Sequence, residues 1–98
     1  MTSRALIAKF PVGYEKLTGL SAAKALQSVP TQANFALIQV EGQAVRYRDD
    51  GTNPTVTDGM RAAVGAVLEY DGDLNGIKFI ELAASATLHI LYYTGKAS

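Results

Sequence analysis

The chain has 98 residues and no cysteine, and nine Lys and Arg balance nine Asp and Glu, so the formal net charge is zero. A length of this order predicts one domain with one modest core. The lack of cysteine excludes disulfides, Cys-ligated zinc and a thiol nucleophile. The balanced charge argues against nucleic-acid binding, which depends on neutralising phosphates. No apolar run approaches the length of a membrane span or of a signal-peptide core.

The first segment with a strand pattern is RALIAKF, at residues 4–10. Residues 20–29 fit two alternatives equally well: a short helix capped by Ser21, or a strand at residues 26–29 that Pro30 ends. Five further segments are rich in β-branched or aromatic residues, and most of them alternate with period two. These segments span residues 35–41, 43–48, 65–70, 77–82 and 87–93. The alternation slips at Phe79-Ile80, which indicates either a bulge or a strand covered on both faces.

Turn-forming residues separate these segments at 41–43, 49–54 and 71–76. Short strands at such spacings are typical of an all-β sandwich or barrel. We therefore predict a single all-β domain over residues 1–98, an antiparallel β-sandwich with a jelly-roll-like arrangement of seven or eight strands. Residues 1–32 are less regular, and we interpret them as either an N-terminal arm or extra strands.

The stretch YDGDLNG, residues 70–76, matches the first half of a calcium-binding loop. Asp71, Asp73 and Asn75 stand at alternate positions and a glycine follows. The bidentate acid that would complete the coordination is missing, because the twelfth position is Leu82. We therefore interpret the stretch as a hairpin turn between the strands on either side, with a calcium site at these three residues as the alternative. We predict no cofactor.

The segment DDGTNPT, residues 49–55, combines turn residues with acids and follows a strand that carries two arginines. Its spacing matches no phosphate-binding loop and no pair of catalytic carboxylates. Loops on β scaffolds commonly carry recognition, so we predict a partner-contact surface here. The residues assigned to it are Arg46, Arg48, Asp49, Asp50 and Asn53.

The only histidine, His89, lies in the last predicted strand on the face opposite Leu88 and Ile90. The sequence offers it no obvious partners for a catalytic triad or a zinc site, so we predict a surface or interface histidine and no enzymatic activity. Leu91 and Tyr93 share its face and would form a small apolar patch, which we add to the predicted contact surface.

Three segments resemble a known group of proteins in their amino-acid sequence. They are ALIQVEGQAVRYRDDGTNPTVTDGM (36–60), LEYDGDLNGIKFIE (68–81) and TLHILYY (87–93). They are similar to small β-sandwich virion proteins of tailed bacteriophages, and the resemblance covers residues 33–93. The resemblance brings no catalytic residue with it.

What the resemblance implies is a structural component of a phage particle. The expected role is a capsid decoration or cement protein that is made in the host cytoplasm, binds the major capsid protein at the capsid surface and reinforces the shell as a homo-oligomer, either a dimer or a trimer. Residues 1–32 would then supply an arm that reaches a capsid subunit or a neighbouring copy. The resemblance does not distinguish a location in the head of the particle from one in the tail. The alternative function is a tail-associated module that binds a carbohydrate or a receptor.

Overall fold

The fold is known from a computed structural model, which describes the backbone of residues 7–97 and the side chains of residues 9–95. Within that range, eight strands form two antiparallel sheets of four strands each, and no helix is long and apolar enough to cross a membrane. In chain order the strands are β1 (Ile7–Leu17), β2 (Lys24–Ala25), β3 (Phe35–Glu41), β4 (Val45–Arg48), β5 (Met60–Ala62), β6 (Val67–Tyr70), β7 (Lys78–Glu81) and β8 (Thr87–Ala97).

The strand order is that of one long antiparallel hairpin rolled up on itself. β1 pairs with β8, β2 with β7, β3 with β6 and β4 with β5. Pairing of β8 with β3 and of β7 with β4 joins these pairs into the sheets β1-β8-β3-β6 and β2-β7-β4-β5. This is the strand order of a jelly roll. The predicted all-β fold with two antiparallel sheets is confirmed.

Period-two alternation directs one side of each strand into the core. On β8, Leu88, Ile90 and Tyr92 are fully buried, and Val45 of β4 and Phe79 of β7 are fully buried in the other sheet. All five belong to one hydrophobic cluster to which both sheets contribute. Each buried side chain of this size contributes roughly 1.5–3 kcal/mol to the free energy of unfolding, so the two sheets are held together by a shared core.

The described part of residues 1–32 contains the strands β1 and β2. Residues 7–17 form β1, an edge strand with a register shift between Pro11 and Gly13, so this part of the segment belongs to the sheet and is not a free arm. After β1 the chain makes a turn, pairs only at Lys24–Ala25 and continues as a loop, so the predicted helix and the predicted strand are both wrong. The reason is tertiary: Leu20 and Leu26 are buried in the core, and the chain between them follows those two anchors. Residues 4–6 of the first predicted strand lie outside the described part.

The predicted hairpin at residues 70–76 is wrong, although the turn exists. β6 and β7 lie in different sheets, so this turn carries the chain from one sheet to the other. Residues 41–43 do the same between β3 and β4. Turn residues predict where a chain reverses, whereas the pairing partner depends on strands far away in the sequence.

The alternation slips at Phe79-Ile80 because the strand is covered on both faces, and not because of a bulge. β7 pairs with β4 from Lys78 to Glu81 without a register shift, so there is no bulge at this position. Phe79 is fully buried and Ile80 is half-buried, which means that the strand is partly covered on both faces.

Candidate functional site

The β4–β5 loop, residues 49–59, contains the predicted contact segment and is held in place by Arg46 of β4. The guanidinium of Arg46 donates to the carbonyl oxygen of Val56 from Nε at 3.1 Å and to that of Gly59 from Nη1 at 2.8 Å. Gly59 has φ of +136°, a conformation that favours glycine. The second half of the loop is therefore fastened to the strand from which the loop departs.

A bidentate ion pair orders the first half of the loop. Arg48 donates from Nε and Nη2 to the two carboxylate oxygens of Asp50, at 3.0 and 2.6 Å. This hydrogen-bonded pairing lowers the pKa of Asp50 and raises the pKa of Arg48. Both side chains face solvent, so the pair defines the geometry of the loop more than it stabilises the protein.

A tight turn closes the outer end of the loop. The amide of Thr55 donates to the carbonyl oxygen of Asp58 at 2.9 Å, and the Asp58 carboxylate accepts from the hydroxyls of Thr55 and Thr57 at 3.1 and 3.2 Å. Lys78 of β7 donates to Oδ1 of Asn53 at 3.0 Å. Side chains therefore anchor the loop at several points along its length.

Asp49 connects the loop to the other sheet. Its Oδ2 accepts a 2.5 Å hydrogen bond from the hydroxyl of Tyr70, the last residue of β6. Burial raises the pKa of Tyr70 above its ordinary value, and the hydrogen bond to the Asp49 carboxylate raises it further. Because of this bond, the base of the loop is tied to both sheets.

The structure brings the five predicted contact residues of this segment together, but their polar groups bond within the chain: Arg46, Arg48, Asp49, Asp50 and Asn53. Most of the exposed loop residues are polar, but two apolar side chains in and directly after the loop are exposed as well. Val56 is 53% exposed, and Met60, the first residue of β5, is 64% exposed. The signal for these two residues was available in the sequence, since each is an apolar side chain within a polar turn segment.

A second surface lies on the outer face of the β1-β8-β3-β6 sheet. It is a shallow groove of about 440 Å³, and its apolar lining residues Tyr14, Val67 and Leu91 are 42–56% exposed. Leu91, predicted as a contact residue, lies in the groove. Tyr93, its predicted neighbour, packs against Phe35 with ring centroids 5.9 Å apart.

His89 lies in this groove between an acid and a hydroxyl. Its Nε2 is 2.9 Å from Oε1 of Glu41, and its Nδ1 is 2.8 Å from the hydroxyl of Tyr14. A carboxylate only accepts, so in the neutral ring Nε2 donates to Glu41 and Nδ1 accepts the tyrosine proton. A hydrolase triad instead has an aliphatic hydroxyl and a buried carboxylate, whereas the Glu41 side chain is 67% exposed. The two hydrogen bonds fix the orientation of the imidazole at the surface.

The three calcium-candidate residues lie in a hydrogen-bonded turn. Oδ1 of Asp73 accepts from the amide of Asn75 at 3.1 Å, and its carbonyl oxygen accepts from the amides of Gly76 and Ile77, both at 3.0 Å. Asp71 is an exposed neighbour in the same turn. Within residues 7–97, no group of three or more His, Cys, Asp or Glu side chains is arranged to hold a metal ion.

Sequence reasoning missed Glu15, a carboxylate buried to 7% exposure in β1. It accepts from the hydroxyl of Tyr92 at 2.6 Å and from the amides of Gln27 and Ser28 at 2.9 and 3.0 Å. One signal was available: Glu15 and Leu17 are two residues apart in a strand, so both point to the same face. Glu15 is a structural anchor that joins β1, β8 and the loop after β2.

Comparisons of the chain with protein-family models, with curated proteins and with solved structures give no match.

Proposed function

We propose that the protein is a structural, non-catalytic component of a phage particle, a decoration or cement protein that binds the major capsid protein and reinforces the shell. The observation that carries the proposal is the β4–β5 loop. It is anchored by Arg46, Arg48 and Asp49, while Val56 in the loop and Met60 directly after it remain exposed.

A loop of this kind is suited to binding because its shape is set before contact. Ordering a mobile loop costs free energy on association, and a loop held by its own hydrogen bonds avoids much of that cost. Exposed apolar side chains then supply contact area. On a symmetric lattice, many such contacts repeat, and the combined avidity exceeds the affinity of one contact.

The resemblance to small virion proteins and the jelly-roll strand order both support this proposal. The jelly roll occurs in viral capsid proteins, but also in lectins and in enzymes of the cupin type. A fold by itself does not define a function. The proposal therefore depends on the loop and on the resemblance of residues 33–93, which includes the loop.

Co-sedimentation with purified capsids that lack the protein tests the proposal. We expect wild-type protein to pellet with the capsids, and the double variant Val56→Asp, Met60→Asp to bind about tenfold more weakly or worse, because two charges would have to be desolvated. Val64→Asp is the matched control, since Val64 is 56% exposed and lies outside the loop. Absence of the protein from a cryo-EM map of the particle, or equal binding by the double variant, would overturn the proposal.

The groove supports a second candidate, a carbohydrate-binding module of the tail. Tyr14 offers an exposed aromatic ring, and Gln39 and Glu41 place hydrogen-bonding groups beside it. Retention on a glycan array that is lost in Tyr14→Ala, together with no capsid binding, would favour this candidate over the first.

A further inference from the structure

Charged residues on the outer face of the β1-β8-β3-β6 sheet are separated by sign. The edge strand β1 carries Lys9 and Lys16, and the opposite edge strand β6 carries Glu69. Glu41 lies on β3, next to β6. All four side chains are exposed. One edge of the face is therefore basic and the other side is acidic.

Between these edges the face has a row of apolar side chains next to a more polar row. The register places Tyr14, Leu91, Leu37 and Glu69 in one row across the four strands. Lys16, His89, Gln39 and Val67 form the next row. A contiguous apolar strip flanked by charges on an open sheet face is typical of an interaction surface.

We propose that this face binds a second copy of the chain, in a dimer whose two-fold axis runs parallel to the strands. Such a rotation places β1 of one copy over β6 of the other. Because the rotation keeps the rows, Lys16 of each copy then lies over Val67 of its partner, one row along the strand from Glu69. The approach of Lys16 to Glu69 occurs twice because the interface is isologous. Leu91 on β8 then lies over Leu37 on β3 of the partner copy, since the two residues share a row. A two-fold axis across the strands would instead place β1 over β1, with lysine facing lysine.

The charge pattern favours a copy of this chain over an unrelated protein. The face carries two lysines and two glutamates, so it has no net charge with which to attract a partner of opposite charge. Its two halves complement each other only after the rotation. The inference goes beyond the proposed capsid binding and does not depend on it, since the β4–β5 loop connects strands of the other sheet.

The size of the face predicts a modest affinity. Four strands spaced about 4.8 Å apart, with about eight residues each on average at about 3.4 Å per residue, give roughly 540 Å² per copy. The total of about 1,100 Å² lies at the low end for specific interfaces. We therefore expect dimerisation in the micromolar range that weakens as salt screens the charges.

Sedimentation velocity of the full chain, from low micromolar to near-millimolar concentration, tests the inference. We expect Lys16→Glu and Glu69→Lys each to weaken dimerisation about tenfold or more, because each change brings like charges to neighbouring rows at two places per dimer. An equimolar mixture of the two variants should dimerise as well as wild type, since both contacts in the mixed dimer join opposite charges. Arg61→Glu on the other sheet is the control and should have no effect.

The mixture also separates an interface effect from a folding defect, because a misfolded variant would not recover on mixing. A wild-type chain that stays monomeric at the highest concentration, or one whose face retains glycans while monomeric, would overturn the inference. Single variants that weaken the dimer without recovery in the mixture would overturn the two-fold arrangement. Capsid binding by the same variants reports separately on the proposed function.

Discussion

The hydroxyl of Tyr92 in β8 donates a 2.6 Å hydrogen bond to Oε1 of Glu15 in β1, and the two residues are 77 positions apart in the chain. Tyr92 is fully buried and Glu15 is 7% exposed. A buried carboxylate is tolerated only when it is hydrogen-bonded. The amides of Gln27 and Ser28 supply the remaining bonds. One pair of side chains therefore secures an edge strand, its neighbour and a loop.

Tyr92→Phe should lower the free energy of unfolding by about 1.5–3 kcal/mol, the range for hydrogen bonds to charged groups. The ring stays, so the change isolates the loss of the donor to Glu15. Urea denaturation at neutral pH measures the difference. Tyr93→Phe is the matched control, on the outer face of the same strand, and should stay within about 0.5 kcal/mol of wild type. Equal stability of wild type and Tyr92→Phe would show that the bond contributes nothing.

Stability should fall at alkaline pH because of Tyr92 and Tyr70. Burial raises the pKa of each hydroxyl, and the carboxylate beside it raises it further. In the unfolded chain a tyrosine titrates near pH 10. A raised folded-state pKa means that the folded protein holds the proton longer, so the stabilisation is complete below pH 10 and is lost as the pH rises above it.

The pH effect can be measured by comparing wild type with Tyr92→Phe between pH 8 and pH 11. The stability advantage of wild type should shrink above pH 10, by at most about 1.4 kcal/mol per pH unit for one tyrosine. Below pH 9 the difference in the free energy of unfolding between the two proteins should stay constant. A constant difference up to pH 11 would contradict the assignment of a raised pKa to Tyr92.

Gly42→Ala should destabilise the protein more than the same change at Gly51. Both glycines have positive φ, +85° and +89°, so alanine is strained at either position. A Cβ on Gly42 would also lie 2.5 Å from the carbonyl oxygen of Ser85, whereas nothing lies within 4 Å of one on Gly51. We expect a loss of about 1–2 kcal/mol at Gly51 and about 1–3 kcal/mol more at Gly42. Thermal melts of both variants check this, and equal losses would mean that the backbone at Ser85 yields freely.

Millimolar calcium should leave the melting temperature unchanged, because the oxygens of Asp73 already accept hydrogen bonds from their own turn. A ligand at tenfold its dissociation constant would add about 1.4 kcal/mol, which is several degrees for a domain of this size. Melts with calcium, with magnesium and with a chelator make the comparison. A rise specific to calcium would restore the metal site at Asp71, Asp73 and Asn75.

The alternating segments predicted five strands, β3, β4, β6, β7 and β8, because burial of every second side chain leaves a visible pattern. β2 and β5 are two and three residues long, which is too short to show alternation. Strand pairing was not predictable from turns. Gly42 and Ser85, for instance, lie close together in two different connections between the sheets, and nothing near either residue in the sequence indicates the other.

The sequence located the β4–β5 loop but not the direction of its side chains. Arg46 was expected to contact a partner, yet its two acceptors are carbonyl oxygens 10 and 13 residues further along the chain. His89 had no visible partners because Tyr14 and Glu41 reach it only through the sheet register. Both cases involve contacts made across strands, which local patterns do not contain.

Arg46→Ala should loosen the β4–β5 loop without disturbing the core. It removes both hydrogen bonds to the carbonyl oxygens of Val56 and Gly59, but water can reach these groups, so we expect a cost of only about 1–2 kcal/mol. Amide hydrogen exchange at Asp58 should quicken, because its bonds to Thr55 depend on the loop geometry.

Arg46→Ala should also affect the proposed capsid binding. If the anchored loop binds the capsid, Arg46→Ala should weaken co-sedimentation even though Val56 and Met60 are unaltered, because the ordering cost now falls on binding. Arg61→Ala is the matched control, since Arg61 stands directly opposite Arg46 on β5 and is exposed. Capsid binding by Arg46→Lys should fall between that of Arg46→Ala and that of Arg61→Ala. Lysine keeps the charge but lacks the planar fork that reaches two carbonyl oxygens at once. Faster exchange with unchanged capsid binding would mean that the order of the loop is irrelevant to recognition.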